Sequence, residues 1–258
     1  MDRTEDTGEP LYDTPEYRST ELRAPKHLYL LPEELHDPTG PVFGESDVGP
    51  VDNDLTSQHE GEPLGERIVV TGRVLDSGGR PIPHTLVEVW QANAAGRYAH
   101  DVDRHPAPLD PNFLGIGRCH TNENGEYRFL TVMPGAYPWR NHPNAWRPAH
   151  IHFSLFGNSW ASRLVTQMYF AGDPLLPLDP IFNSAPTERA RAAMIASYAH
   201  DVTEPEWALG WRWDIVLDGP DATAFEPPRL ESAGSDTPVS DPLARDPLAR
   251  TEARDLHL

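Results

Sequence analysis

The sequence predicts a mainly β protein: a β-sandwich of antiparallel and mixed strands with long loops, one short helix and an extended N-terminal arm. Three observations lead there. The chain carries 28 Pro and 19 Gly, turn-formers in numbers that favour many short strands over long helices. At least six runs rich in β-branched and aromatic residues lie between turn signals, and several alternate at period two. A single stretch reads as helical. Six or more strands with long connections fit two sheets packed face to face.

Taken in order, residues 1–65 hold 16 acidic and 4 basic groups and eight prolines, an acidic arm. Leu28, Tyr29, Leu30, Leu31, Val42 and Phe43 punctuate it with apolar side chains, so it is expected to wrap over its own body or a partner chain rather than hang in solvent. The body, residues 66–228, opens with strands at 66–76 (ERIVVTGRVLD) and 85–92 (TLVEVWQA), separated by SGGRPIPH. The stretch from Gln91 to Asn122 shows no strand pattern, and connections of that length inside a compact domain are usually functional. Strands follow at 126–132, 149–156, 163–170 and 211–217. Residues 184–201 (SAPTERARAAMIASYAHD) are expected to form the helix, with Ser184 as N-cap and Pro186 in its first turn. Residues 229–258 contain a duplicated DPLAR and no aromatic residue, a composition that predicts a disordered tail.

Composition excludes several classes of function. A net charge of −19 with Lys26 as the one lysine argues against nucleic acid, which is bound through clustered Lys and Arg. No run approaches the ~18 apolar residues of a membrane span. Cys119 has no partner cysteine, and the N-terminus lacks the basic-then-apolar pattern of an export signal, so a soluble cytoplasmic protein is expected.

The strongest local signal is Arg147-Pro-Ala-His150-Ile-His152. In a strand, residues i and i+2 share a face, so His150 and His152 project side by side as a metal platform. His-x-His alone is more often unrelated to metal, and further donors are needed. No carboxylate lies between Glu126 and Asp173, and upstream stand Tyr98 and Tyr137. A phenolate is a hard anionic oxygen donor suited to a highly charged ion. Each tyrosine taken singly reads more readily as a rim or core aromatic than as a ligand.

Longer passages carry a resemblance. The text TGPVFGESDVGPVDNDLT, GERIVVTGRVLDSGGRPIPHTLVEVWQANAAGRYAH, APLDPNF, GRCHT and PGAYPWRNHPNAWRPAHIHFSLFG is similar to the intradiol ring-cleavage dioxygenases, above all to the β chains of those acting on protocatechuate. The spacing Tyr98–Tyr137–His150–His152, at 39, 13 and 2 residues, matches that family. The resemblance implies Fe(III) held by Tyr98, Tyr137, His150 and His152, with Tyr137 the ligand that departs when substrate chelates. It further implies catalytic roles for Arg147 and Gln167, pocket walls at Trp139 and Ile181, an aromatic neighbour of the ligands at Trp90, and contact between Tyr17 and the substrate carboxylate. An α chain is the implied partner, in α–β pairs within a larger oligomer. Sister enzymes for catechol or hydroxyquinol carry a helical N-terminal segment, which the eight prolines of residues 1–65 disfavour. A metal-free β-sandwich binding module, or a non-catalytic subunit, is the reading from a different class.

Overall fold

The computed structural model describes residues 48–101, 103–139, 145–156, 163–219 and 221–224. Eleven strands are present among them: β1 (Arg67–Leu75), β2 (Leu86–Trp90), β3 (Ile116–His120), β4 (Glu126–Val132), β5 (Tyr137–Trp139), β6 (Ala145–Arg147), β7 (His150–Phe156), β8 (Arg163–Phe170), β9 (Ile195–Tyr198), β10 (Leu209–Arg212) and β11 (Ile215–Val216). Two short helices, α1 (Pro180–Ser184) and α2 (Glu188–Ala192), lie between β8 and β9. The architecture is mainly β and mixed, as expected. Nine strands form one strongly folded sheet in the order β11-β1-β10-β9-β8-β7-β2-β3, with β4 pairing the other edge of β1, and β5 and β6 make a separate hairpin. Parallel pairs occur at β1–β10, β1–β11 and β8–β9.

The ends of this sheet approach one another, and residues 52–55 stitch them. Asp52 accepts from Arg118 N on β3 at 3.0 Å, Asn53 accepts from Leu130 N on β4 at 2.9 Å, and Leu55 N donates to Leu130 O at 2.8 Å. Each bond satisfies an edge group that would otherwise face solvent or a neighbouring molecule. Leu55 is fully buried beneath the stitch and belongs to the main core. That core joins the two halves of the sheet through an aromatic chain. Phe129 of β4 meets Phe153 of β7 edge to face at 6.2 Å, and Phe153 meets Trp213 at 5.0 Å. Burying each such ring contributes about 1.5–3 kcal/mol.

Three expectations need correction. Residues 184–201 are not one helix. Ala185, which precedes Pro186, is extended and ends α1; Thr187 then caps α2 by accepting from Ala190 N, and Ser184 is the last residue of α1 rather than an N-cap. Beyond α2 the chain extends as β9, filling the gap between β8 and β10. The stretch from Gln91 to Asn122 does contain a strand, β3, paired along its length with β2. The run 211–217 is broken at Trp213-Asp214, where Trp213 drops into the core and the Asp214 carboxylate accepts from Arg73 N at 2.8 Å. The apolar residues cited from 28–43, and the tail from 225 onward with its DPLAR repeat, lie outside the described residues.

Gly72 sits on β1 where its neighbour changes from β10 to β11, and the Trp213 carbonyl crosses directly over it. A methyl group there would meet that carbonyl and, at 2.9 Å, the Tyr127 hydroxyl that donates to it. Gly72→Ala is therefore expected to destabilise the chain by roughly 2 kcal/mol or more, since overpacking against backbone is not relieved by a rotamer change. A thermal melt beside wild type measures it, and an unchanged midpoint would contradict this packing.

Candidate metal centre

Strand β7 provides the base of the site. It is buried on both faces: Ile151, Phe153 and Leu155 enter the main core, while His150, His152 and Ser154 face the other way, all at 2% exposure or less. The two imidazoles stand 4.9 Å apart between centroids. His150 Nδ1 lies 2.7 Å from the Pro148 carbonyl, which can only accept, so Nδ1 carries the proton and Nε2 is left with its lone pair. That Nε2 is 3.3 Å from Tyr137 Oη. His152 is held by stacking: Trp90, its cross-strand neighbour on β2, lies 4.8 Å away with the rings 7° from parallel. Gln167 of β8 stands opposite His152 on the other side.

The tyrosines come from connections. Tyr137 opens β5, and its cross-strand partner on β6 is Arg147, so phenol and guanidinium are set by one hairpin. Tyr98 follows a tight turn in which Asn93 Oδ1 accepts from Ala95 N and Arg97 N at 2.9 and 3.0 Å, and its own backbone N–H donates to Asp103. Gly96, at φ +77°, packs against the Ala136 carbonyl, and Gly135 packs against Ala94. These contacts press the Tyr98 turn onto the segment before Tyr137. The rings meet edge to face at 5.4 Å, and Tyr98 lies 6.4 Å from His152.

Tyr98, Tyr137, His150 and His152 thus converge. Two phenolic oxygens and two imidazoles make a mixed hard and borderline donor set, which fits a trivalent first-row ion. Among the described residues no group of three or more His, Cys, Asp or Glu could hold a metal, and the two phenols are the further candidate donors beside the imidazoles.

Beside the donors lies a buried ionic network. Arg147, 2% exposed, binds Asp179 through Nε to Oδ1 at 2.8 Å and Nη2 to Oδ2 at 3.2 Å. Nη2 also donates to Gln167 Oε1 and, at 3.0 Å, to Tyr169 Oη. Burial opposes the guanidinium charge, but the carboxylate of Asp179, with Tyr169 and Tyr137, outweighs it and holds the arginine well above its already high range. Burial, then Asp179, pushes the Tyr169 phenol up, so Tyr169 stays a neutral donor. Trp139 lies over the guanidinium at 5.5 Å, and Ile181 packs with Tyr137 against Trp139 and Ala145. Tyr17 lies outside the described residues.

Asp179 and Tyr169 were missed in the sequence. The signal for Asp179 was present: Asp179-Pro180 is an N-cap followed by proline at the first helical position, and the cap was sought five residues later at Ser184. A buried arginine also demands a carboxylate. Nothing local marks Tyr169, whose position on β8 two residues from Gln167 reads as ordinary alternation.

Burial, then the charge of Arg147 and the neighbouring His152, holds the His150 imidazole well below the usual histidine range. In the unfolded chain this group titrates near ~6.5. Below that pH the unfolded state takes up a proton that the folded state refuses, so stability is lost as pH falls. The metal-free protein should melt at a lower temperature at about pH 5.5 than at about pH 7.5, and His150→Asn should flatten that difference. Calorimetry across the range checks it; an equal slope in both proteins would contradict the assignment.

The chain matches known proteins along most of its length. The family model described as "Dioxygenase" covers residues 38–219. Over 220 residues the chain is 63% identical to the protocatechuate 3,4-dioxygenase beta chain of Burkholderia cepacia, covering 84% of this chain and 93% of that one. It is 30% identical over 172 residues to the hydroxyquinol 1,2-dioxygenase of Rhizobium sp. (strain MTP-10005), covering 60% of this chain and 54% of that protein's length. The fold resembles the crystal structure of 3-chlorocatechol 1,2-dioxygenase from Rhodococcus opacus 1CP, with a TM-score of 0.50, 23% identity and 69% of each chain covered. With its sheet, its His-x-His strand and these matches taken together, the chain belongs to the intradiol dioxygenase family.

Proposed function

We propose that this chain acts as the β chain of a protocatechuate 3,4-dioxygenase, using Fe(III) and O2 to open the aromatic ring between its two hydroxyl-bearing carbons and give 3-carboxy-cis,cis-muconate. The observation that carries the reading is the convergence of Tyr98, Tyr137, His150 and His152, in a chain 63% identical to the Burkholderia cepacia protein of that name. The catechol and hydroxyquinol reading is weaker, since the hydroxyquinol relative shares 30% identity over 60% of this chain. A metal-free binding module or a non-catalytic subunit leaves one buried and one half-buried phenol and two buried imidazoles at one point without a purpose.

Tyr98, Tyr137, His150 and His152 are the residues that would hold the iron. When bound, it supplies Lewis acidity and draws electron density from a chelated catecholate, which opens the ring carbon to O2. The protein's part is proton handling and charge. A catechol must shed two protons to bind as its dianion; the Tyr137 oxygen would be a base for one of them and a solvent hydroxide for the other. His150 remains neutral, because Pro148 fixes its tautomer and burial disfavours its cation. Arg147 stays protonated throughout, so its guanidinium offers fixed positive charge where negative charge grows on the ring. Gln167 braces that arginine, while Trp139 and Ile181 supply apolar walls. Tyr17 is assigned to the substrate carboxylate.

An α chain is the proposed partner. Residues 27–65 hold nine acidic and no basic groups, and such an arm suits a partner surface of positive charge. The division into an arm at 1–65, a body at 66–228 and a tail at 229–258 belongs to the same reading, as does a cytoplasmic location. Among the described residues no helix is long and apolar enough to cross a membrane.

Co-expression with the α chain, followed by oxygen uptake on protocatechuate and on catechol, tests the function. A reddish, iron-containing protein that prefers protocatechuate is expected; a colourless preparation without uptake would overturn it. His152→Ala should lose iron, whereas Tyr137→Phe should keep it and slow turnover on the order of 100-fold. Iron content and single-turnover absorbance separate the two, and equal iron loss would refute the division of roles.

A further inference from the structure

One buried carboxylate outside the donor set touches two parts of the site at once. Asp179 is fully buried, and both of its oxygens accept hydrogen bonds. Oδ1 takes Arg147 Nε at 2.8 Å; Oδ2 takes Arg147 Nη2 at 3.2 Å, Tyr169 Oη at 2.9 Å and Phe182 N at 3.3 Å. The last bond caps α1, the helix that carries Ile181. Ile181 packs with Tyr137 against Trp139, and Trp139 covers the same guanidinium that Asp179 grips from its edge. The arginine and the apolar wall are therefore built on one anion.

We propose that Asp179 is a positioning residue of the ring-cleavage site: it fixes the plane of the Arg147 guanidinium and, by capping α1, fixes the Ile181 wall relative to it. The kinetic part of this inference rests on the function proposed above; the positional part does not. The paired approach of Nε and Nη2 to the two carboxylate oxygens leaves the guanidinium no rotation about its Cζ axis. Tyr169 secures the arrangement further. Its hydroxyl accepts from Arg147 Nη2, and its single proton serves either Asp179 Oδ2 or Gln167 Oε1. Arginine has no acceptor, so Gln167 must present its carbonyl oxygen toward it, and the amide NH2 is forced to the opposite side. Asp179 thus orients Gln167 as well, through two intermediates.

Asparagine at position 179 has nearly the same shape but one carbonyl oxygen. Its NH2 would face either Arg147 Nε or the pair of Nη2 and Phe182 N, donor against donor in both cases. The test is the Asp179→Asn variant within the α–β complex, read by crystal structure, iron content and steady-state kinetics on protocatechuate. The expected result is a guanidinium displaced by about 1 Å, iron retained, and kcat lowered on the order of 100-fold with KM changed by less than about threefold. A purely structural role would lower the yield of folded protein without that split between kcat and KM. A guanidinium left in place, or one displaced with kcat unchanged, overturns the proposal. Should wild type show no uptake, the ring-cleavage reading fails, and the crystal structure alone still decides whether Asp179 positions Arg147. Tyr169→Phe removes one link without removing charge and serves if Asp179→Asn does not assemble. It should lower kcat about tenfold with iron kept, and an unaltered kcat there counts against the network.

Discussion

Strand β7 is buried on both faces, and the site depends on the separation this enforces. Its odd face feeds Ile151, Phe153 and Leu155 into the core; its even face holds His150, His152 and Ser154 away from it. A shift of one residue in its pairing with β2 or β8 would exchange the faces, sending imidazoles into hydrocarbon and isoleucine into the site. Both neighbours oppose that. The register sets Trp90 and Gln167 against His152, one to stack on the ring and one to brace Arg147. The aromatic contact of Phe153 with Phe129 and Trp213 locks the other face. Core packing and site geometry are thus one constraint acting on two sides of a single strand.

Charge is arranged around that strand with the same economy. The site keeps the His150 imidazole neutral by burial and a carbonyl-fixed tautomer, and concentrates positive charge on one arginine that cannot lose its proton. Burying a guanidinium costs several kcal/mol unless a counter-ion and hydrogen bonds offset it. Asp179 supplies the counter-ion, and Tyr169 and Gln167 supply the bonds. The chain as a whole carries a net charge of −19.

Much of this was legible in the sequence, and the misses have physical causes. The strands at β1, β4, β7 and β8 announced themselves because β-branched alternation and flanking turns agree there. The residues Ile116–His120 escaped because IGRCH holds one β-branched side chain, and pairing with β2 rather than propensity makes β3 a strand. The alanine-rich stretch after Ser184 looked helical by propensity, yet the open place between β8 and β10 draws Ile195–Tyr198 into the sheet. At the site, His150 and His152 were visible from their spacing alone. Tyr98 and Tyr137 needed the family resemblance, because a lone tyrosine carries no local mark. Asp179 and Tyr169 form contacts at separations of 32 and 22 residues from Arg147, and no local pattern encodes a distance in space.

The placement of the two phenols follows from what the sheet leaves available. On each strand beside β7, the position opposite His152 is already taken, by Trp90 on β2 and by Gln167 on β8. The candidate oxygen donors come instead from outside the large sheet, Tyr98 from the long passage between β2 and β3 and Tyr137 from the start of β5. Loops alone would hold such a donor loosely. Here the Tyr98 turn is clamped to the segment entering β5 through two glycines, Gly96 against Ala136 and Gly135 against Ala94, with Gly135 N also donating to Asn93 O at 2.9 Å. A Cβ at either glycine would push the turns apart, and with them the two phenols. Gly96, at φ +77°, is further confined to a backbone region that other residues rarely adopt. The distance between Tyr98 and Tyr137 is set by backbone contact between the Tyr98 turn and the segment entering β5, and this is why a side chain from a turn and one from the start of β5 can meet a rigid strand at fixed separations.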